Sequence, residues 1–326
     1  MLSAEVSLTV RNLANEYLSY VEKRRSKSTF VEVRTTFKRL GEFLGPEFKL
    51  EGITPAVALR HLDRQMEKRS PNAANKDRKN LATAWKWGRN YLDGFPDKAN
   101  PFLRVERYPE VPQPRYVPPE EDFWKVFNVS EGQDRVMLAT FLYLGARRGE
   151  VFRLTWRDVD FRNGRVRLST KKTATGSIRH DWLPLLSKLR DALLWWWENR
   201  VHKESEYVFT VSGKKGNGEN QHEGKPFKDR PHFMKTMCKR AEVKPFGFHA
   251  IRHLAAVIMY QDGESIAKIQ AILRHTNPTT TEKYLKRLGL DPDKLAEAIE
   301  GLGKHGPATI IPFPKKEAPK LVAVGG

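Results

Sequence analysis

The chain of 326 residues has one cysteine, Cys238, which excludes an internal disulfide framework and a cysteine-rich zinc site. Long apolar runs are missing as well, since the longest stretch, from Val136 to Ala146, is far shorter than the ~20 residues of a membrane-spanning helix. The amino-terminal segment has no basic cluster followed by an apolar core, the pattern of a secretion signal. These absences predict a cytoplasmic protein that has no membrane partner.

Common signatures of catalysis are also absent. The sequence has no GxxxxGK[ST] phosphate loop, no HExxH zinc motif and no cluster of acidic residues typical of a two-metal nuclease. An enzyme that acts on DNA without a metal needs fixed cations to neutralise a phosphate, and a nucleophile from its own side chains. We therefore expect neither a metal nor another cofactor.

Acidic residues are few relative to basic ones, 39 against 58, and the net charge is +19. The excess is spread along the chain, because residues 1–112 have a net charge of +7 and residues 113–326 a net charge of +12. Two basic parts predict that both contact nucleic acid, although a merely soluble basic surface has the same composition. With 39% hydrophobic residues, the chain also has enough apolar side chains for globular cores.

The first hundred residues predict helices. Apolar residues recur at helical spacing, and Thr54-Pro55 has the form of an N-cap followed by proline at the first helical position. Further on, Leu81, Trp85 and Leu92 share one helix face and predict core, whereas the basic side chains of the other face can lie along phosphates. We interpret residues 1–93 as a helical DNA-binding domain.

The rest of the chain divides into three parts. Seven prolines crowd residues 94–119 and predict an extended linker. Residues 120–303 combine helical patterns with a predicted hairpin, whose Asn163-Gly164 pair favours a two-residue type I′ turn with positive φ at both positions. Residues 304–326 are rich in proline and predict a flexible tail. The predicted fold class is mainly α with a small antiparallel β-sheet, an α+β arrangement.

Four segments of the second part have residues suited to phosphate chemistry, and the first two are rich in cations. A glycine, Gly145, ends one predicted helix, and Arg147 begins the next, where Glu150 lies three residues on and can support the guanidinium. Lys171-Lys172 falls in the predicted hairpin. Taken alone, basic residues in either of these segments are more often ordinary solvent-exposed side chains than parts of a site.

The other two segments lie on predicted helices. In His249-Ala250-Ile251-Arg252-His253, a helix places His249 and Arg252 on one face and leaves Ile251 free to enter the core. A histidine beside an arginine is as often a plain helix surface as a site, and a lone tyrosine on a helix is ordinarily core. The last segment holds, in order, Leu273, Arg274, His275 and Tyr284.

In this order and spacing, the four segments resemble the tyrosine recombinase family, also called phage integrases, over roughly residues 120–290. Residues 1–93 also resemble that family's core-binding domain, although this resemblance rests on less specific sequence features. Two positions depart from the family pattern, because Arg274 stands where glycine usually precedes the histidine and Ile251 replaces a leucine. The first departure could change the turn or add a phosphate contact.

The resemblance implies a site-specific DNA recombinase, an integrase or excisionase of a mobile element, that works through a covalent 3′-phosphotyrosyl intermediate without metal or ATP. By this resemblance Tyr284 is the nucleophile, and Arg147 and Arg252 clamp the non-bridging phosphate oxygens. The implied partners are double-stranded DNA with paired half-sites and further copies of the chain, which form a tetramer on DNA.

The resemblance also implies roles for the remaining site residues. Lys172 protonates the departing 5′-oxygen, His249 assists proton transfer, and His275 donates to a non-bridging oxygen. Glu150 gives structural support to Arg147. Two alternatives stay open: a type IB topoisomerase-like enzyme that relaxes supercoils, and a catalytically silent DNA-binding protein on the same fold.

Overall fold

A computed structural model describes residues 7–110, 116–171, 178–213 and 220–275. The chain divides into two compact units. The first comprises residues 1–113 together with residues 169–180, and the second comprises residues 114–168 together with residues 181–326.

The first unit is built from helices with conventional amino-terminal caps. Thr9, Ser26, Thr54 and Ser70 each accept a hydrogen bond from a backbone N–H of the first turn, so that helix starts follow the sequence signals. The start predicted at Thr54-Pro55 is confirmed. The five helices are α1 (Val10–Arg24), α2 (Lys27–Leu44), α3 (Pro55–Lys68), α4 (Pro71–Tyr91) and α5 (Pro101–Arg104).

The core of the first unit is centred on Trp85 of α4. Its ring is fully buried and packs edge-on against Phe95 and Phe102, at centroid distances of 5.0 and 6.2 Å. Leu81 is buried beside it and Leu92 is partly buried against the same core. The predicted core face of this helix is therefore confirmed.

Part of the segment interpreted as an extended linker is packed onto α4. Residues 101–104 form α5, and Phe102 and Val105 are buried in the first unit's core. Arg78 donates to the Val105 carbonyl at 2.6 Å, and Asn75 donates to the Tyr108 carbonyl at 2.9 Å. Proline breaks regular secondary structure, but side chains of α4 supply the hydrogen bonds that hold this irregular segment in place.

The second unit is built around α7, whose residues Val136–Leu142 are all buried. Its helices are α6 (Glu120–Asn128), α7 (Gly132–Tyr143), α8 (Arg148–Val151), α9 (Ser187–Asn199), α10 (Phe233–Arg240), α11 (Phe248–Gln261) and α12 (Ile266–Leu273). Three strands, β1 (Val159–Asp160), β2 (Arg165–Lys171) and β3 (Ile178–Pro184), form an antiparallel sheet in the order β1-β2-β3. The predicted fold class, mainly α with a small antiparallel sheet, is confirmed. In the part of the chain that the structure describes, no helix is both long and apolar enough to cross a bilayer.

The predicted type I′ turn at Asn163-Gly164 is wrong. Val159 pairs with Val166 and Asp160 with Arg165, so that four residues rather than two connect β1 to β2. Only Gly164 of the pair has a positive φ, +59°. The Asp160 carboxylate accepts from the backbone N–H of Asn163 at 3.0 Å and from its side chain at 2.7 Å, which favours the wider turn.

The first unit contains a buried histidine, His61, whose pKa is strongly lowered. His61 of α3 is completely buried beside the Phe43 ring, and neither of its ring nitrogens has a hydrogen-bond partner among the described residues. The pKa of His61 is lowered to about 4, chiefly by burial; the charge of Asp77 opposes this shift, and the charges of Arg39 and Arg64 add to it. The imidazole is therefore neutral in the folded protein at pH 7.

We expect His61 to make the first unit sensitive to acid. The free energy of unfolding has its full value above pH 6.5, the ordinary pKa of histidine. It decreases as the pH falls toward about 4, because in this range the unfolded chain binds a proton at residue 61 and the folded chain does not. Between pH 7 and pH 4 the loss should be on the order of 3 kcal/mol. Urea unfolding of the full chain at both pH values should show a smaller loss for His61→Leu. Replacing the exposed His232 by Gln should reproduce the wild-type loss, and an equal loss for both variants would contradict the prediction.

Candidate functional site

The loop that carries Arg147 begins with a Schellman turn at the end of α7. The N–H of Gly145 donates to the Leu142 carbonyl at 3.2 Å, and the N–H of Ala146 donates to the Phe141 carbonyl at 3.3 Å. Gly145 has φ +49°, and a Cβ at this position would lie 3.0 Å from a methyl carbon of Leu273. Both the backbone conformation and the close approach of α12 therefore favour glycine at this position.

The end of α12 has the same hydrogen-bond pattern with a different residue at the left-handed position. Arg274 donates its N–H to the Ala271 carbonyl at 3.0 Å, and His275 donates its N–H to the Gln270 carbonyl at 3.2 Å. Arg274 has φ +55°, a conformation that costs about 1–2 kcal/mol for a residue with a Cβ. The turn expected with a glycine is thus retained, and the arginine side chain must compensate for the strain.

Two buried guanidinium groups join these helix ends. Arg252 of α11 is 1% exposed, and it donates to the Gly145 carbonyl at 2.5 Å and to the Leu273 carbonyl. The Arg274 guanidinium donates to the carbonyls of the preceding residues in each turn, Leu144 at 3.2 Å and Ile272 at 2.8 Å. The unpaired carbonyls at the two helix ends are satisfied by arginine side chains, which fixes the distance between the turns.

Glu150 connects the second of these arginines to Arg147. One carboxylate oxygen accepts from the Arg147 guanidinium at 2.9 Å, and the other accepts from the Arg147 backbone N–H at 2.8 Å. The second oxygen also accepts from the Arg274 guanidinium at 2.8 Å. The side chains of Glu150 and Arg274 are each 2% exposed, whereas the side chain of Arg147 is 36% exposed. Arg147 is therefore the member of this group that faces solvent.

The segment from His249 to His253 lies on the first turns of α11. Ile251 is completely buried, as predicted, and His249 is exposed. The His249 ring meets the His253 ring edge-on at a centroid distance of 4.5 Å. Arg252 points inward to the two helix ends, so that this helix supplies both an exposed imidazole and a buried guanidinium.

His275 lies where the other candidate residues converge. Its imidazole is half-buried, and burial lowers the pKa of His275 to about 4. The positive charges of Arg252, Arg147 and Arg274, and to a lesser degree His249, contribute to this lowering of the pKa. At pH 7 the imidazole is neutral, with one ring N–H to donate and a strongly positive surrounding.

The structure thus brings together five of the residues that the sequence singled out: Arg147, Glu150, His249, Arg252 and His275. Two others, Lys172 and Tyr284, lie outside the described residues. Among the described residues, no group of three or more histidine, cysteine, aspartate or glutamate side chains is arranged to hold a metal ion. The cluster is suited to binding an anion, because fixed cations surround a neutral hydrogen-bond donor.

Sequence reasoning missed the contact between Arg274 and Glu150. The signal available was a basic residue at a position where the turn favours glycine, directly before a candidate site histidine. The sequence alone offered a phosphate contact as one role for this side chain. The observed guanidinium is instead buried against a carboxylate and two carbonyls.

Comparisons with known proteins identify relatives of this chain. The family model described as the phage integrase family matches residues 121–288. A tyrosine recombinase of Pseudothermotoga lettingae is 26% identical over 180 residues, which is 55% of this chain and 57% of that protein. The alignment therefore spans little more than half the length of this relative.

Solved structures show the same fold at low sequence identity. The Tn1549 transposon integrase in complex with transposon right-end DNA superposes with a TM-score of 0.69 at 18% identity, covering 91% of this chain and all of that one. A lambda integrase tetramer bound to a Holliday junction superposes with a TM-score of 0.67 at 16% identity, covering 86% of this chain and 78% of that one. The fold is that of the tyrosine recombinases, and the chain belongs to the phage integrase family. The predicted family is confirmed.

We expect Glu150→Gln to destabilise the second unit. The substitution keeps the shape of the side chain but leaves the buried Arg274 charge without its carboxylate, which should cost about 3 kcal/mol. Thermal denaturation of the full chain should show a lower Tm for the second unit, by several degrees. The reason is that a unit of this size loses ~2–4 °C per kcal/mol.

Glu264→Gln is the matched control for this experiment. Glu264 pairs with Lys268 at 2.8 Å on the surface of the same unit, and both side chains are at least 40% exposed. Its replacement should change stability by less than ~0.5 kcal/mol. Equal effects of the two substitutions would show that the buried pair contributes no more than a surface pair.

Proposed function

We propose that the protein is a site-specific DNA recombinase that cleaves and rejoins strands through a covalent 3′-phosphotyrosyl intermediate. The observation that carries this proposal is the convergence of Arg147, Arg252, His249 and His275 into one anion-binding cluster. Membership of the phage integrase family, whose model spans both Lys172 and Tyr284, supports the presence of the full catalytic set. In this proposal residues 1–93 form the core-binding domain and residues 120–303 the catalytic domain.

The proposed cleavage step is an in-line displacement at phosphorus. The phenolic oxygen of Tyr284 gives up its proton, for which His249 is the proposed acceptor, and forms a bond to the scissile phosphorus while the bond to the 5′-oxygen breaks. The products are a 3′-phosphotyrosyl ester and a free 5′-hydroxyl, whose proton comes from Lys172 acting as general acid. The reverse reaction with a new 5′-hydroxyl rejoins the strands, and the ester conserves the bond energy, so that ATP is not needed.

Charge stabilisation of the phosphate is assigned to the arginines. Arg147 is partly exposed and held in place by Glu150, so that its remaining N–H donors can meet non-bridging oxygens. Arg252 is almost completely buried, and contact with a phosphate requires its covering residues to move. Guanidinium groups stay charged at any working pH, and their fixed charges can take the place of a metal ion in the transition state.

The two histidines have complementary assignments. His275, with its pKa lowered to about 4, is a neutral donor at pH 7 and gives one N–H to a non-bridging oxygen. Binding of a phosphate would add negative charge beside the imidazole and raise that pKa, which strengthens the hydrogen bond. His249 is exposed at the start of α11 and assists proton transfer at the tyrosine or the phosphate.

We further propose that four copies of the chain act together on two DNA sites, each made of paired half-sites. The lambda integrase structure, a tetramer bound to a Holliday junction, supports this arrangement by similarity of fold. The Tn1549 integrase, which belongs to a transposon, supports a role in moving a genetic element. The biological event in this proposal is integration or excision.

The first unit supplies the second DNA contact in this proposal. A groove of about 810 Å³ runs along an exposed, basic face of α4. We call it the α4 groove, and its polar lining includes Asn72, Lys76, Lys79, Thr83, Lys86 and Arg107. All of these residues except Arg107 lie on α4 and recur at helical spacing along one face, so that the lysine charges can follow a phosphate backbone.

Tyr284→Phe tests the chemistry. The variant should bind DNA as the wild-type protein does but form no covalent adduct on a nicked suicide substrate that carries the flanking half-sites. Denaturing gels detect the adduct by its reduced mobility. Arg147→Ala should also retain binding and slow adduct formation by about 100-fold or more, because one charged donor to the transition state is lost.

Two outcomes of this experiment would redirect the proposal. A persisting adduct in Tyr284→Phe would assign the nucleophile to another residue. If the wild-type protein forms the adduct and relaxes supercoiled plasmid but never joins two duplexes, the type IB topoisomerase-like activity replaces the recombinase. If no adduct forms on any DNA, only a DNA-binding function remains.

Salt dependence tests the α4 groove. Replacing Lys79 and Lys86 by Gln should weaken DNA binding and flatten the plot of log Kd against log salt by about 2, because each phosphate contact contributes a slope of ~0.9. The weakening should be similar for specific and unrelated duplexes. Fluorescence anisotropy over a range of NaCl concentrations measures both quantities.

Lys38→Gln is the control for these substitutions. Lys38 is exposed on α2, pairs with Glu42 at 3.8 Å and does not line the α4 groove. Its replacement should leave the slope unchanged. If Lys38→Gln alone flattened the slope as much as the double substitution, net charge rather than the groove would explain binding.

A further inference from the structure

Arg274 has no part in the mechanism above, yet it contacts the residue that holds Arg147. Within the part of the chain that the structure describes, the Glu150 carboxylate accepts at least three hydrogen bonds, two from Arg147 and one from Arg274. Arg274 occupies a left-handed backbone position that favours glycine, so that its side chain offsets a strained conformation.

The role of Arg274 follows from the charges. Arg147 and Glu150 alone form a neutral pair, in which the buried carboxylate offsets part of the attraction that the guanidinium exerts on an approaching phosphate. With Arg274 added, the three side chains have a net charge of +1. Because Glu150 and Arg274 are each 2% exposed, water screens their interaction poorly, and the neutralisation is local.

The hydrogen bonds of Arg274 go to Glu150 and to backbone carbonyls. Its guanidinium is buried and donates to Glu150, Leu144 and Ile272. Burial lowers the pKa of Arg274, and the carboxylates of Glu150 and, to a lesser degree, Asp181 at β3 oppose this shift by stabilising the charged form. In this geometry the two terminal nitrogens of the buried guanidinium donate to protein acceptors, whereas the Arg147 side chain is partly exposed to solvent.

We propose that Arg274 is a positioning residue whose buried charge neutralises Glu150 and so leaves the positive charge of Arg147 available to the scissile phosphate. This inference rests on the proposed function. It assigns Glu150 two tasks, which are to orient Arg147 and to receive the charge of Arg274. Without Arg274, the negative charge of Glu150 would weaken the attraction between Arg147 and the phosphate.

Comparison of Arg274→Lys with Arg274→Met separates charge from shape. Both variants keep a Cβ at the strained position and a long unbranched side chain, but only lysine keeps the charge. Single-turnover adduct formation on the suicide substrate, with DNA saturated by protein, should be about tenfold slower or more for Arg274→Met. The Lys variant should stay within about threefold of wild type, and the DNA Kd of both should change by less than about twofold.

The same pair of variants in a Glu150→Gln background tests whether the charge acts through Glu150. With glutamine at position 150 no carboxylate remains to be neutralised, and the Lys and Met variants should react at equal rates. All rates are measured at a temperature where circular dichroism shows each variant to be folded. A purely structural role would change the Tm of the variants and leave the rate per folded molecule unchanged.

Arg274→Gly covers the case in which the Met variant does not fold, because glycine adopts φ +55° without strain. It should slow the reaction as the Met variant does, and Glu150→Gln should again remove the difference. The inference is overturned if wild type forms the adduct and Arg274→Met or Arg274→Gly reacts at the wild-type rate. It is also overturned if the effect is equally large in the Glu150→Gln background. Failure of wild type to form any adduct would instead remove the proposed function itself.

Discussion

A buried carboxylate shared by two guanidinium groups is the interaction on which the candidate site depends. The Glu150 carboxylate accepts hydrogen bonds from the backbone N–H and the guanidinium of Arg147, and it also accepts one from the guanidinium of Arg274. Removing such charges from water costs several kcal/mol for each ion, so that the arrangement is stable only while every partner is in place. The orientation of the one solvent-facing arginine is therefore tied to the integrity of the whole cluster.

The second constraint is the joining of two helix ends by arginine side chains. The ends of α7 and α12 expose carbonyls that a regular helix cannot satisfy, and Arg252 and Arg274 satisfy consecutive carbonyls on both. One end carries the loop to Arg147, and the other leads directly to His275. Backbone geometry, rather than a flexible surface, thus determines the separation of these two candidate phosphate ligands.

The sequence was informative wherever a local rule decides the outcome. The N-cap at Thr54 follows from a threonine placed before proline, and the burial of Trp85 and Ile251 follows from helical spacing. The rule failed at Asn163, where the Asp160 side chain competes for the turn, and between residues 94 and 110, where α4 holds chain that prolines would otherwise leave extended. Both failures have the same cause, since a side chain provided hydrogen bonds that turn or proline statistics do not include.

From the sequence alone came the family, the fold class and the residue types of the candidate site, because motif order and helical periodicity are local properties. Only the tertiary structure decided what Arg274 contacts. Its carboxylate partner lies 124 positions away in the chain, and both charges are buried. Periodicity reports whether a side chain faces the core or the solvent. Which distant charge it meets there depends on how α7, α8 and α12 pack, and that is a property of the folded unit.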